Sequence, residues 1–325
     1  MNAHSLDRKG KFMNRKITLT GANIVFFIFA MAFTAYQVVL AIIFGAEVFT
    51  DHIYLMLLVN ELGLILAPVL IYAAVKRVDF KETFRFNKPG LLPVLLILLL
   101  SLPAYFVASM LNNTLVYFLQ FIGRIPSQPI PVPDSVPELL LGLLVIAVLP
   151  GVCEEMMHRG LLLRAYERRG SYRALAITSV LFGLFHFDLT NLLGPVFLGL
   201  IIGYYVLRTN SIFAGMLAHF LNNAIAELLQ YFSNGGVQPE YVTITAGELG
   251  QVLAYGFVGL IVTGFLLGVF NRATERAAVV PPISSAGADF RTVISHWPIL
   301  VVTILYFFLQ GIFLFSIIVD KALGQ

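Results

Sequence analysis

Two carboxylates stand side by side in the stretch VIAVLPGVCEEMMHRGLLL, residues 145–163: Glu154 and Glu155, with His158 and Arg159 one helical turn further on and apolar residues on either side. Positions i and i+4 of a helix share a face, so Glu155 sits over Arg159 and a charge-assisted pair keeps it ionised and fixed. Glu154 points about 100° away around the helix axis and is free to address another helix, with His158 at its own i+4 position as a competitor. Further along the chain, FGLFH supplies His186, and HFLNN supplies His219 and Asn223, again an i, i+4 pair that presents an imidazole and an amide on one face. The chemistry open to such a set is hydrolysis of an amide bond. A carboxylate opposed by a histidine from a different helix holds and deprotonates a water, and a second histidine with an asparagine donates hydrogen bonds to the oxyanion that forms when that water attacks a carbonyl.

Elements that position these residues must do so inside a membrane. Of 325 residues, 58% are hydrophobic and 12% are charged, and the mean hydropathy of +0.86 lies far above that of soluble domains. Nine apolar segments approach the length of about 20 residues that a membrane helix needs. They fall at residues 21–45, 53–75, 90–121, 136–168, 173–187, 191–207, 211–231, 248–270 and 297–319. The expected fold is therefore all-α, a polytopic bundle of about 8–9 spans enclosing a polar chamber. With the N-terminus cytoplasmic, 19 of the 21 lysines and arginines fall on the inner side, leaving Arg124 and Lys321 outside. That distribution accounts for the net charge of +3 without nucleic acid as a partner. The first apolar run is too long for a signal-peptide core and reads as a retained span. VDFKETFRFNK, 78–88, reads as a short amphipathic helix on the inner surface, and residues 271–292 as a flexible inner connector.

Depth then brings the polar residues together. Counted from the nearest inner arginine at about 1.5 Å per residue, Glu154 lies about 21 Å deep, His186 about 20 Å, His219 about 16 Å and Asn223 about 22 Å. Ionisable groups inside membrane helices each cost roughly 2.5 to 3.5 kcal/mol on insertion scales, so three of them and an asparagine in one layer point to a shared interior chamber. Other readings compete at single positions. Glu155 with Arg159 could be a structural ion pair, Glu154 could be absorbed by His158, and Asn60 with Glu61 reads as helix-to-helix glue. Asn222 points away from Asn223 and reads as packing. Cys153, the one cysteine, reads as a small buried hydrophobe, although a thiol nucleophile beside a histidine is the alternative.

CEEMMHR fits EExxxR, FGLFH fits FxxxH and HFLNN fits HxxxN. In that order they resemble the CPBP (Abi) family of intramembrane proteases, which includes the type II CAAX prenyl endopeptidases. The resemblance covers residues 136–231 and divides the chain into a basic tail (1–20), N-terminal membrane helices (21–135), the protease core (136–231), and C-terminal helices (232–325) with a cytoplasmic connector at 271–296. It implies that Glu154 and His186 activate water, that His219 and Asn223 form the oxyanion hole, and that Glu155 and Arg159 support the site. The implied partners are the bilayer and a membrane-anchored peptide or protein, with a prenylated CAAX tail as the lipidated case. No metal is expected; the alternative is zinc on Glu154, His186 and His219, an open three-ligand site. Two functions outside hydrolysis use the same residues: a membrane carrier, and a catalytically silent scaffold of the bacteriocin-immunity type. Oligomeric state is not readable from the chain.

Overall fold

A cap opens the first helix. The Thr18 hydroxyl accepts from the Gly21 amide at 3.0 Å, and α1 (Leu19–Phe44) runs from there. This computed structural model describes residues 17–45, 48–234, 239–274 and 279–323; the basic tail over 1–16 and Arg276 of the connector lie outside the described residues. After α1 come α2 (Ile53–Val75), α3 (Leu91–Leu119), α4 (Val136–Arg169), α5 (Ser171–Phe185) and α6 (Leu193–Thr209). The chain closes with α7 (Ile212–Asn234), α8 (Ala246–Ala273), α9 (Ala286–Ile294) and α10 (Trp297–Ala322).

Seven of these helices, α1, α2, α3, α4, α7, α8 and α10, are long and apolar enough to cross a membrane. The two shorter apolar helices, α5 with 15 residues and α6 with 17, pack against each other in the bundle interior. All nine expected segments are thus helical, and the fold is the all-α polytopic bundle that composition requires. Large apolar side chains such as Ile42, Ile261 and Phe307 face outward, as they do where lipid is the solvent. Among the described residues the sheet is one short antiparallel ladder of β1 (Ile125–Pro126) and β2 (Tyr241–Val242), which ties the proline-rich loop IPSQPIPVPDSVP, residues 125–137, to the approach to α8.

α3 and α8 pack along most of their lengths because glycine lets their backbones meet. A Cβ on Gly259 would stand 2.7 Å from the Pro103 carbonyl oxygen, whereas one on Gly264 of the same helix would meet nothing within 4 Å. Gly259→Ala should therefore destabilise the protein by about 1–3 kcal/mol through overpacking. Gly264→Ala should be neutral or stabilising, within about 1 kcal/mol, through better helix propensity. Thermal unfolding in one detergent compares them, and equal effects would disprove the close approach.

Two expectations need correction. The helix expected within residues 78–88 is shorter than the segment: it is confined to Phe80–Thr83, and the chain then turns inward through Arg85 at φ 55°. Phe84 is fully buried against Gly160 of α4, and Arg85 is buried in an ion pair with Glu167. An aromatic ring and a desolvated charge pair anchor the segment inside, which a surface helix would leave in water. The described part of the connector is likewise docked rather than loose. Ser171 and Val280 exchange two hydrogen bonds, of 2.9 and 3.0 Å. Arg169 reaches Asp289 at 2.7 Å and Thr292 at 3.0 Å on α9.

α10, an accessory by its place in the sequence, grips the turn after His186. Gln310 donates to the Phe187 carbonyl at 2.8 Å and accepts from the Leu189 amide at 2.9 Å. Phe187 itself holds φ at 50°, a left-handed conformation that a bulky residue keeps only under outside constraint.

Candidate active site

α4 does not run as an even α-helix past its polar residues. Wider π turns occupy Leu143–Val148 and Met156–Leu162, on either side of the segment that carries Pro150, Glu154 and Glu155. The first lies just before a proline that lacks an N–H to donate, and such turns recur at functional sites. α7 lies antiparallel to α4 in a regular register. A Cβ on Gly215 would stand 2.7 Å from Glu155 Oε2, His219 meets both glutamates, Asn223 Nδ2 donates to the Ile146 carbonyl at 2.8 Å, and Glu227 faces Gly142.

His219 bridges the carboxylates. Its Nδ1 lies 3.0 Å from Glu155 Oε1 and its Nε2 lies 3.9 Å from Glu154 Oε2. A carboxylate can only accept, so Nδ1 carries the proton on the Glu155 side. Arg159 donates to the same Glu155 oxygen at 2.7 Å, and its guanidinium rests 4.4 Å from the centre of the Phe182 ring. Glu155 is thus fully buried between a cation and an imidazole. The expected i, i+4 pair is present, and the glutamate also holds the ring of His219, a contact that spacing along one helix does not reveal.

His186 ends α5. Its Nδ1 donates to the Phe182 carbonyl at 2.8 Å, which leaves Nε2 with a lone pair. His158 is directed the same way, by a 3.0 Å bond from Nδ1 to the carbonyl of Glu154, and its ring sits among Phe26, Phe182 and Phe185. The competitor for Glu154 is therefore occupied by the backbone, and the Glu154 carboxylate remains available.

Glu154, His186, His219 and Asn223 line one cavity of about 480 Å³, bounded also by α1, α2, α3 and α6. The imidazole within ion-pair range of Glu154 is that of His219, while His186 shares the cavity wall. Cys153 is buried in the apolar core and is absent from the lining. Asn60 and Glu61 line the cavity too, and Asn60 Oδ1 and Glu61 Oε2 have no hydrogen-bond partner among the described residues, so they do not act as helix-to-helix glue. Asn222 is not packing either: it lines the same cavity and donates to Asn223 Oδ1 at 3.1 Å. The cavity is wide enough to take two consecutive residues of α7 into its lining.

As for zinc, among the described residues no three His, Cys, Asp or Glu side chains converge as a coordination site.

Bundle and cavity together define a multi-pass membrane protein whose polar chemistry is enclosed between its helices. Residues 136–225 match the model of the Rce1-like family, described as type II CAAX prenyl endopeptidase Rce1-like. The chain is also 25% identical over 169 residues, 51% of its length and 68% of the relative's, to a Bacillus subtilis protein named "Putative membrane peptidase YdiL". No solved structure matches. The chain is a multi-pass integral membrane peptidase, and the segment similar to the CPBP family is the one that carries all three motifs.

Proposed function

We propose that this enzyme is an intramembrane endopeptidase that hydrolyses a peptide bond near the C-terminus of a membrane-anchored substrate, using water activated by Glu154 and His186. The observation that supports this reading is the convergence of Glu154, His186, His219 and Asn223 on one cavity. His186 Nε2 orients the water through its lone pair, and Glu154 takes a proton from it as the oxygen bonds to the carbonyl carbon. The displaced π electrons form an oxyanion, which receives hydrogen bonds from His219 Nε2–H and from the second N–H of Asn223 Nδ2. When the C–N bond breaks, the proton held by Glu154 passes to the leaving nitrogen. His219 must carry both ring protons to donate in this way. The buried group then balances, with Arg159 and His219 positive against Glu154 and Glu155. Glu155 and Arg159 act as positioning residues.

The prenylated CAAX tail is the lipidated form of substrate that the matched family's description supports. Mass spectrometry of membrane peptides from cells carrying the wild type or Glu154→Gln identifies the target, and farnesylated against unmodified copies of the peptide test the lipid. The mechanism needs no metal, so activity of the reconstituted protein should stay within about twofold of its starting value after dialysis against a chelator strong enough to strip a three-ligand zinc site. Loss of activity that zinc alone restores would overturn it.

A further inference from the structure

The cavity holds more acceptors than the reaction uses. Beyond Glu154, the buried oxygens Asn60 Oδ1, Glu61 Oε2, Asn222 Oδ1, Glu227 Oε2 and Gln230 Oε1 line it without a donor among the described residues. Among the described residues, no lysine or arginine lines the cavity. Buried polar atoms are nearly always paired, and a lone buried carboxylate is costly unless a cation meets it. A wall with this bias fits a guest rich in N–H groups and positive charge.

Glu227 is the residue placed to receive such a guest. It is 1% exposed, its Oε2 has no partner, and the glycine opposite, Gly142, leaves room for the carboxylate: a Cβ there would stand 2.5 Å from Oε2. His219, Asn223 and Glu227 follow one another at i, i+4 and i+8 on α7, so Glu227 lies about 12 Å from His219 along the helix axis. It lies toward the end of the bundle where Ile130 of the proline-rich loop closes the cavity. That end is acidic: Asp134 and Glu138 follow Ile130, and Asp188 holds Gln128 at 2.6 Å. The two basic residues there are engaged, Arg124 over the Tyr241 ring and Lys321 with the Phe121 carbonyl. An acidic rim above a buried carboxylate draws cations inward.

Building on the proposed hydrolysis, we infer that Glu227 is a specificity subsite for an arginine or lysine of the substrate. An extended peptide advances about 3.3 Å per residue, so 12 Å along α7 sets the cation about three to four residues from the scissile bond.

The test uses the full-length protein in lipid nanodiscs and a set of membrane-anchored fluorogenic peptides that differ only in carrying Arg, Gln or Glu at one position two to six residues from the cut. Wild type should favour Arg over Gln by about tenfold in kcat/KM, mostly through KM, and only at the three- and four-residue positions. Glu227→Gln, which keeps the side chain's shape, should bring the Arg-to-Gln ratio to within about twofold of one. Glu227→Lys should reverse the preference toward Glu. A ratio near one in the wild type, or a ratio unchanged in both variants, would overturn the subsite. Binding of fluorescein-labelled Arg and Gln peptides to Glu154→Gln protein gives a second reading that does not require turnover. If no peptide is cut but the Arg peptide binds more tightly and loses that advantage when Glu227→Gln is added, the subsite stands and the hydrolytic reading fails. Equal binding of both peptides sinks the subsite alone.

Discussion

Glu154→Gln should lower kcat by about 10³-fold, within the range of 10² to 10⁴ ascribed to general acid–base catalysis, while KM changes little. Gln keeps the shape of the side chain and can still line the cavity, but its amide cannot take a proton from water at neutral pH. Glu154 makes no side-chain hydrogen bond among the described residues, so the substitution removes a buried charge and its 3.9 Å approach to His219 but breaks no hydrogen bond. The variant should purify as the wild type does and unfold at the same temperature or slightly above. His186→Ala should lower kcat similarly, and combining the two should cost far less than the sum, since both act on one water. Turnover by Glu154→Gln within about fivefold of wild type would remove it from the role of base. A large rise in KM with kcat unchanged would mark it as a binding group.

Much of this site can be read before any coordinates exist, and the reason is local. A helix repeats every 3.6 residues, so EExxxR and HxxxN state which side chains share a face, and the Glu155–Arg159 pair follows from spacing alone. Burial in a membrane makes every ionisable residue conspicuous, which is why His186 and His219 stand out among apolar neighbours. Contacts between helices are less legible. That His219 Nδ1 turns to Glu155 rather than Glu154 depends on the register of α7 against α4, which glycines at 142 and 215 and two π turns set together. Arg85, which reads as a cytoplasmic charge, pairs with Glu167 because Phe84 draws its segment inward. Glu227 is within reach of the sequence: the stripe His219, Asn223, Glu227 and Gln230 recurs at i, i+4, i+8 and i+11 on one helix face, and extending the HxxxN motif by one turn finds it.

Arg159→Met should destabilise the protein by about 3–5 kcal/mol, because it leaves Glu155 as a buried charge with only His219 beside it. Glu155→Leu should do the same from the other side, stranding Arg159, which is 3% exposed and whose one carboxylate partner is Glu155. Replacing both at once removes the charge imbalance and substitutes apolar side chains of similar bulk, an exchange that is often neutral. Stability of the double variant should therefore return to within about 1–2 kcal/mol of wild type, as read by thermal unfolding in the same detergent. Activity should not return with it. Without the Glu155 carboxylate, nothing holds the Nδ1 proton of His219 or fixes its ring, so the imidazole donor to the oxyanion is misplaced and kcat stays about 10² to 10³ below wild type. A merely structural ion pair predicts the opposite, with turnover recovering as the fold does. The contrast separates positioning from scaffolding, since stability and catalysis share the pair but only catalysis needs the bond from His219 to Glu155.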